Sequence, residues 1–422
     1  MRNSRPAGSA GARGADRGRG TSRRAYQSGA VDHSGDLLGG LQAGTFLRRY
    51  WQKQPKLLRR AIPDFQTFLS KDELFKLACR DNVESRLVLQ RGGDYPWQAI
   101  HGPFRLRDFR GLPRSDWTLL VQNVDLHCVA GAELRRRFSF VPNWRIDDLM
   151  VSYAPPGGSV GAHLDSYDVF LLQTLGRRRW LINPRDYTEE DFIEGLDLRI
   201  IGGFHARKQW LLEPGDMLYL PPGVAHHGIA ETECMTYSIG FRAPGGRELA
   251  LHFLEGQGVA DDRYRDPDLR VQSHPGEIAA AHLARIRSLI RGAVSDNQAL
   301  NRWFGCFMTT LPEGIAPPLP RRRMTPRSFL QLWRKRGTLY RAHPSRALFL
   351  REKNGIVLFV NGESSVLPLN AAGLVQAYTD EWQIDIALLR RRAAGAPVIE
   401  SLCKMYNAGV LVARAPQEPD DA

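Results

Sequence analysis

DDLMVSYAPPGGSVGAHLDSYDVFLLQTLGRRRWLIN, residues 147–183, contains three short apolar runs separated by turn-forming residues. Each run is too short for an ordinary helix and is rich in the β-branched and aromatic residues that suit a pleated surface. Outward from this stretch the same texture continues, from about residue 85 to 245: RLVLQ (86–90), WTLLVQNVD (117–125), QWLLEPGD (209–216), MLYLPPG (217–223) and TYSIGFRAP (236–244). Many short strands with Gly/Pro punctuation predict a β-sandwich or a barrel.

Inside this β-rich region three features carry chemistry. The segment GGSVGAHLDSYDVF (157–170) places His163 and Asp165 two residues apart. If they lie on a strand, imidazole and carboxylate share a face and can bind one ion. Further on, LEPGDMLYLPPGVAHHGIAE (212–231) gives a Pro214-Gly215-Asp216 turn, a strand, and a Pro-Pro-Gly leading to His226. Two histidines and one carboxylate on one side of an ion form the facial triad of non-haem Fe(II) oxygenases, whose open positions take a 2-keto acid and dioxygen. His227 competes for the ligand role; the spacing from Pro-Pro-Gly selects His226, and His227 then points away, because neighbouring strand residues face opposite sides. The third feature is Gly176-Arg-Arg-Arg-Trp180, where a guanidinium can hold a distant carboxylate bidentately. Alternation allows only one face of the triplet to look inward. A lone His-x-Asp is weak, whereas His-x-Asp followed by the Pro-Gly-Asp strand and the later histidine, with a basic strand between, is specific. The Asp at the second position also favours iron oxygenase chemistry over a cupin isomerase built on His-x-His.

Composition narrows the class. The 422 residues, 43% hydrophobic, suffice for two or three globular domains, and no run approaches a membrane span. Seven arginines against Asp16 in the first thirty residues, without an apolar stretch, read as a disordered basic tail (1–35) and not as a secretory signal. A second basic concentration runs from Arg321 to Arg346 within a chain of net charge +13. Such patches speed encounters with polyanions without specifying them, and equally serve solubility. The five scattered cysteines form neither a disulfide framework nor a zinc knuckle, which fits a reducing, cytoplasmic setting.

Beyond residue 245 the pattern turns helical: HPGEIAAAHLARIRSLIRGAV (274–294) carries an apolar stripe among strong helix formers. A monomer need not cover that stripe, so a homodimer is expected; the alternative is packing on the chain's own barrel. From about 320, SFLQLWRKR predicts a helix, RALFLREK, IVLFV and SSVLP predict strands, and Asn354-Gly355 and Asn361-Gly362 are expected as two-residue hairpin turns. Helices NAAGLVQAYTDEW and PVIESLCKMYNAG and a last strand VLVARA complete a small module similar to a winged helix.

The run WRIDDLMVSYAPPGGSVGAHLDSYDVF (144–170), with GRRRW, PPGVAHHG and YSIGFRAP, closely resembles the bacterial JmjC-type ribosomal oxygenases of the cupin superfamily. FLRRYWQKQPKLLRRA (46–61), YRDPDL (264–269) and WFGCFMTT (303–310) extend the resemblance. It implies an α+β, mainly β fold: a JmjC cupin double-stranded β-helix barrel (36–245), a helical dimerisation domain (246–318) and a winged-helix-like domain (319–415), before an acidic tail (416–422). It also implies Fe(II), O2 and 2-oxoglutarate, with arginine 3-hydroxylation of a large-subunit ribosomal protein of the uL16 type. By position, His163, Asp165 and His226 match the iron ligands, Arg178 the arginine that anchors 2-oxoglutarate, and Ser152 a residue that helps hold it.

If Ser152 faces the interior, Met150 and Asp148 share its face by the strand period. Asp148 then suits a substrate guanidinium, or else caps a loop at the strand end. Tyr167 can wall the same pocket, while Met150 and Trp180 also read as core. Three rivals stand beside arginine hydroxylation: a histidine-hydroxylating ribosomal oxygenase, a non-catalytic barrel whose winged module binds nucleic acid directly, and a zinc-dependent cupin isomerase or lyase.

Overall fold

The structure, a computed structural model, describes residues 37–90, 97–196, 198–256, 263–267, 269, 277–388 and 395–416. The expected basic tail and almost all of the expected acidic tail lie outside the described residues.

Among the described residues eleven strands build the β-rich part. They are β1 (Lys56–Leu58), β2 (Ser85–Gln90), β3 (Trp97–His101), β4 (Trp117–Val121), β5 (Ile146–Ala154), β6 (Val169–Leu175), β7 (Arg178–Asn183), β8 (Lys208–Leu212), β9 (Met217–Leu220), β10 (Ala225–Ala230) and β11 (Cys234–Phe241). Eight form one antiparallel sheet in the order β1-β9-β6-β11-β5-β4-β2-β3, and the other three a second sheet, β10-β7-β8. The barrel expected from the punctuated runs is therefore two facing sheets, with one long wall and one short one.

The strand period explains how the long sheet serves two cores. On β6, Val169 and Leu171 face the short sheet and pack with Trp180, Ile182, Leu212, Leu218 and Leu220. Phe170 and Leu172 face the other way. Phe170 is fully buried there, its ring 5.3 Å from Phe46, 5.0 Å from Tyr219 and 5.2 Å from Phe138. Phe46 sits on the helix Ala43–Arg49, so the basic-aromatic opening segment closes the back of the barrel. The Pro214-Gly215-Asp216 turn forms as read: Gly215 has φ +90°, which a side chain would strain, and Asp216 N–H donates to Glu213 O at 2.9 Å.

Among the described residues three helices follow the barrel, Gly246–Gly256, Ala280–Ala293 and Asn297–Thr309. Trp303 of the third is buried against Phe253 of the first. The middle helix buries none of its residues, and Leu283, Ile286 and Ile290 stand exposed along it. The last module has a helix Pro326–Arg336 and strands β12 (Thr338–Arg341), β13 (Ala347–Glu352), β14 (Gly355–Val360), β15 (Glu363–Leu367), β16 (Gln383–Asp385) and β17 (Leu411–Val412), with a helix Ala396–Asn407. It encloses its own core around Phe329, Trp333, Leu358, Tyr378 and Leu402.

Asn361-Gly362 is a two-residue turn between β14 and β15, both residues at positive φ. The other hairpin corrects the expectation by one position. Glu352 pairs with Gly355, so the turn is Lys353-Asn354 and Gly355 opens β14. A Cβ on Gly355 would approach Leu367 O to 2.9 Å, which explains a glycine in a strand there.

Candidate metal and co-substrate centre

His163, Asp165 and His226 come together: one potential ligand atom from each lies within 4.8 Å of the other two. Among the described residues this is the only such group. The sequence reading placed His163 and Asp165 on a strand, and this is corrected. His163 forms a single isolated bridge with His226, and Asp165 lies in the loop before β6. The bridge is tight, with His163 N–H to His226 O at 3.0 Å and the reverse at 2.8 Å. Gly223 N–H donates to Asp165 O at 2.8 Å, tying the Pro-Pro-Gly turn to the carboxylate's own backbone.

Each ring is oriented by a carbonyl. His163 Nδ1 lies 3.0 Å from Gly161 O, and His226 Nδ1 3.0 Å from Val224 O. A carbonyl only accepts, so Nδ1 carries the proton and Nε2 presents a lone pair, the form a metal needs. Burial, aided by the neighbouring His163, holds the His226 imidazole down to about 4, so it is neutral at physiological pH. His227 points the other way, against Phe204, and does not line the cavity. Imidazole and carboxylate donors with one open side fit a divalent first-row metal such as Fe(II).

The three groups open into a cavity that is also lined by Ser152, Arg178, Asp148, Met150, Tyr167 and Trp180. The eight site residues singled out in the sequence, and Trp180 with them, therefore face one space. Arg178 is buried, and its Nη1 donates to Ser152 Oγ at 3.2 Å and to Thr236 Oγ1 at 3.3 Å. Its Nε has no hydrogen-bond partner, and among the described residues it forms no ion pair. A buried cation left this way invites an anion, and a carboxylate of 2-oxoglutarate fits it. Arg177 is exposed, and Arg179 pairs with Glu231, which settles the inward face of the triplet. Trp180 is both core and cavity wall, its indole 5.7 Å from the His226 ring. Gly228 makes room for it, since a Cβ there would come within 2.7 Å of the indole.

Sequence reasoning missed Thr236. Its hydroxyl accepts from Arg178 and donates to Gln173 Oε1 at 3.0 Å, locking the guanidinium from behind. The available signal was CMTYSIGF, where Thr236 and Ser238 break an apolar strand at alternate positions; Ser238 lines the cavity too. Arg86 and the Leu198–Ile200 loop also reach it and carried no signal.

Asp148 caps a loop, as one of its two readings had it, and it also faces the cavity. One oxygen accepts from Asn123 N–H at 3.2 Å, capping the loop, while the side chain lines the cavity mouth. Gly240 across from it leaves the space open: a Cβ there would lie 3.2 Å from Asp148 Oδ1. Burial, with Asp125 and Asp147 nearby, pushes its carboxyl up to about 7. Tyr167, 40% exposed, stands at the same mouth.

The JmjC domain family matches residues 133–249, and the ROXA-like winged helix family matches 292–412. The chain is 40% identical over 280 residues to the ribosomal protein uL16 3-hydroxylase of Escherichia coli, covering 65% of this chain and 74% of that protein. It is 33% identical to a probable ribosomal oxygenase of Haemophilus influenzae, over 61% of this chain and 66% of that one. It also superposes on an Escherichia coli ribosomal oxygenase solved with cobalt and 2-oxoglutarate, at a TM-score of 0.74 and 32% identity, over 88% of this chain and 98% of that one.

Proposed function

This chain belongs to the JmjC-type ribosomal oxygenases, and from that premise we propose that it hydroxylates Cβ of an arginine in a large-subunit ribosomal protein of the uL16 type, using Fe(II), O2 and 2-oxoglutarate. The observation that carries the co-substrate is the buried Arg178, without an ion pair among the described residues and with its Nε unsatisfied, facing the same cavity as His163, Asp165 and His226. When bound, the metal supplies the oxidising chemistry, coupled to decarboxylation of 2-oxoglutarate.

The chain's own residues bind, orient and exclude water. His163, Asp165 and His226 would hold the ion from one side and leave the cavity side open. Arg178, steadied by Ser152 and Thr236, would fix the far carboxylate of 2-oxoglutarate, which orients the keto acid toward the ion. Asp148 at the mouth, with Met150 and Tyr167, would receive the substrate arginine: the carboxylate pairs with the guanidinium, and the apolar walls steer the chain's methylenes inward. Ionised Asp148 is what favours arginine over histidine in this reading.

We further propose that residues 36–245 form the catalytic unit, 246–318 a dimerisation unit and 319–415 the winged-helix-like unit, in a cytoplasmic homodimer. The exposed Leu283, Ile286 and Ile290 support pairing of two copies. No described helix is long and apolar enough to cross a membrane. Mass spectrometry of ribosomal proteins from a deletion strain tests the reaction. An arginine lighter by one oxygen is the expected result, and a histidine lighter by one oxygen with every arginine unchanged would replace it with the rival reading.

A further inference from the structure

The basic concentration read at Arg321–Arg346 is not one surface. Arg321, Arg322, Arg323 and Arg334 are exposed, but Arg341 and Arg346 are buried, at 5% and 6% exposure. Arg341 lines a cleft between the helix Val129–Arg136 of the barrel and the β12–β16 side of the C-terminal module. Its guanidinium lies 4.2 Å from the centre of the Trp382 ring, and Arg136 comes to the same indole at 5.4 Å. Arg135 lines this cleft as well, and Arg346 lines the pocket next to it together with Arg135, Arg136 and Arg341.

The charge inventory does not balance. Asp125 is the one buried carboxylate lining the cleft, and it is already used: one oxygen faces Arg135 at 3.4 Å and the other accepts from Leu149 N–H at 2.9 Å. Glu133 and Glu381 are exposed at its rim. Arg341 spends one N–H on Thr379 O at 3.3 Å, and Arg136 one on Glu381 O at 3.1 Å. The Nε of Arg341 has no hydrogen-bond partner, and neither Arg341 nor Arg136 forms an ion pair among the described residues. Burial lowers the Arg341 guanidinium to about 9, so it remains charged at neutral pH. Like charges gathered in a low-dielectric cleft, with donors to spare, are unfavourable until an anion joins them.

We propose that this cleft is a binding site for a phosphate-class oxyanion, held by Arg341 and Arg136 with Arg135 behind them. A phosphate offers more acceptor oxygens than a carboxylate and so can meet several guanidinium forks at once. The site lies apart from the barrel cavity, with which it shares no lining residue. Its ligand would brace the catalytic barrel against the C-terminal module.

Calorimetric titration of the full chain with inorganic phosphate, against sodium chloride at matched ionic strength, reads the site directly. One saturable phosphate isotherm is expected for the wild-type chain. Arg136→Ala, a half-buried position that the fold does not depend on for its core, should weaken it about tenfold or more, the loss of a charge-assisted contact. Arg341→Lys, which keeps the charge and removes the fork, should weaken it also, and Arg178→Ala should leave it unchanged. The proposal is overturned if the wild-type chain takes up no phosphate beyond the chloride control. It is equally overturned if Arg178→Ala abolishes the isotherm while Arg136→Ala does not.

Discussion

His163 and His226 exchange a pair of backbone hydrogen bonds, N–H to O at 3.0 and 2.8 Å, in an isolated antiparallel bridge between their two segments. The spacing of the two imidazoles is therefore set by main chain, with ring centroids 4.3 Å apart. Asp165, whose own carbonyl accepts from Gly223, is fixed to the same frame. A site held this way is organised before a metal arrives, and its loss by mutation should be chemical and not structural.

Asp165→Ala is accordingly expected to fold normally and to lose function. Outer-shell partners of metal ligands typically cost about 10–100-fold when removed, so loss of a ligand should lower succinate production, measured with substrate present, by at least about 100-fold. Full retention of substrate-coupled succinate would remove Asp165 from the ligand set.

Arg178 should act on the co-substrate alone. Losing its charge-assisted hydrogen bonds is worth roughly 2–3 kcal/mol, so Arg178→Ala should raise KM for 2-oxoglutarate about 30–150-fold. Arg178→Lys should recover only part of this, because an ammonium cannot present a planar fork. Steady-state kinetics with 2-oxoglutarate varied will separate the two, and an unchanged KM would place the anchor elsewhere.

With Asp148 as the proposed partner of the substrate guanidinium, substrate binding should depend on pH. Its carboxyl, raised to about 7 in the substrate-free protein, is protonated below that value and then offers no charge to a guanidinium. Affinity for an arginine peptide should therefore rise as pH increases through about 7. Stability runs the opposite way: folding favours the protonated form, so this group's contribution is full at low pH and lost as pH rises through about 7. Asp148→Asn should flatten both dependences, weaken the arginine peptide, and raise Tm at pH 8. Peptide titrations and melting curves across pH 6–8 check each part.

Ile290 is 64% exposed and Ile286 41% exposed on a helix that buries nothing. Ile290→Glu should leave the fold intact and convert a dimer to a monomer, visible as a halved mass in sedimentation equilibrium. A wild-type chain that sediments as a monomer would return this helix to an ordinary solvent-facing role.

The sequence by itself determined the many-stranded β architecture, the grouping of His163, Asp165 and His226 and which side chains of the strands turn inward, because these depend on short-range regularities. Strand alternation put Asp148, Met150 and Ser152 on one face, and the Pro-Pro-Gly spacing selected His226 over His227. Asn361-Gly362 specified its own turn through residues that tolerate positive φ, whereas Gly355 misled, since its reason for being glycine is the carbonyl of Leu367 on another strand. The choice of Arg178 among three arginines needed the resemblance or the fold. Only tertiary structure decided the rest. The Gln173–Thr236–Arg178 relay joins three strands, the His163–His226 bridge replaces the expected strand, and Arg341 and Arg346 are turned from an apparent surface patch into buried cations. The physical reason is common to all three: burial and partnership are properties of residues far apart in the chain, and no local pattern records which of them will meet.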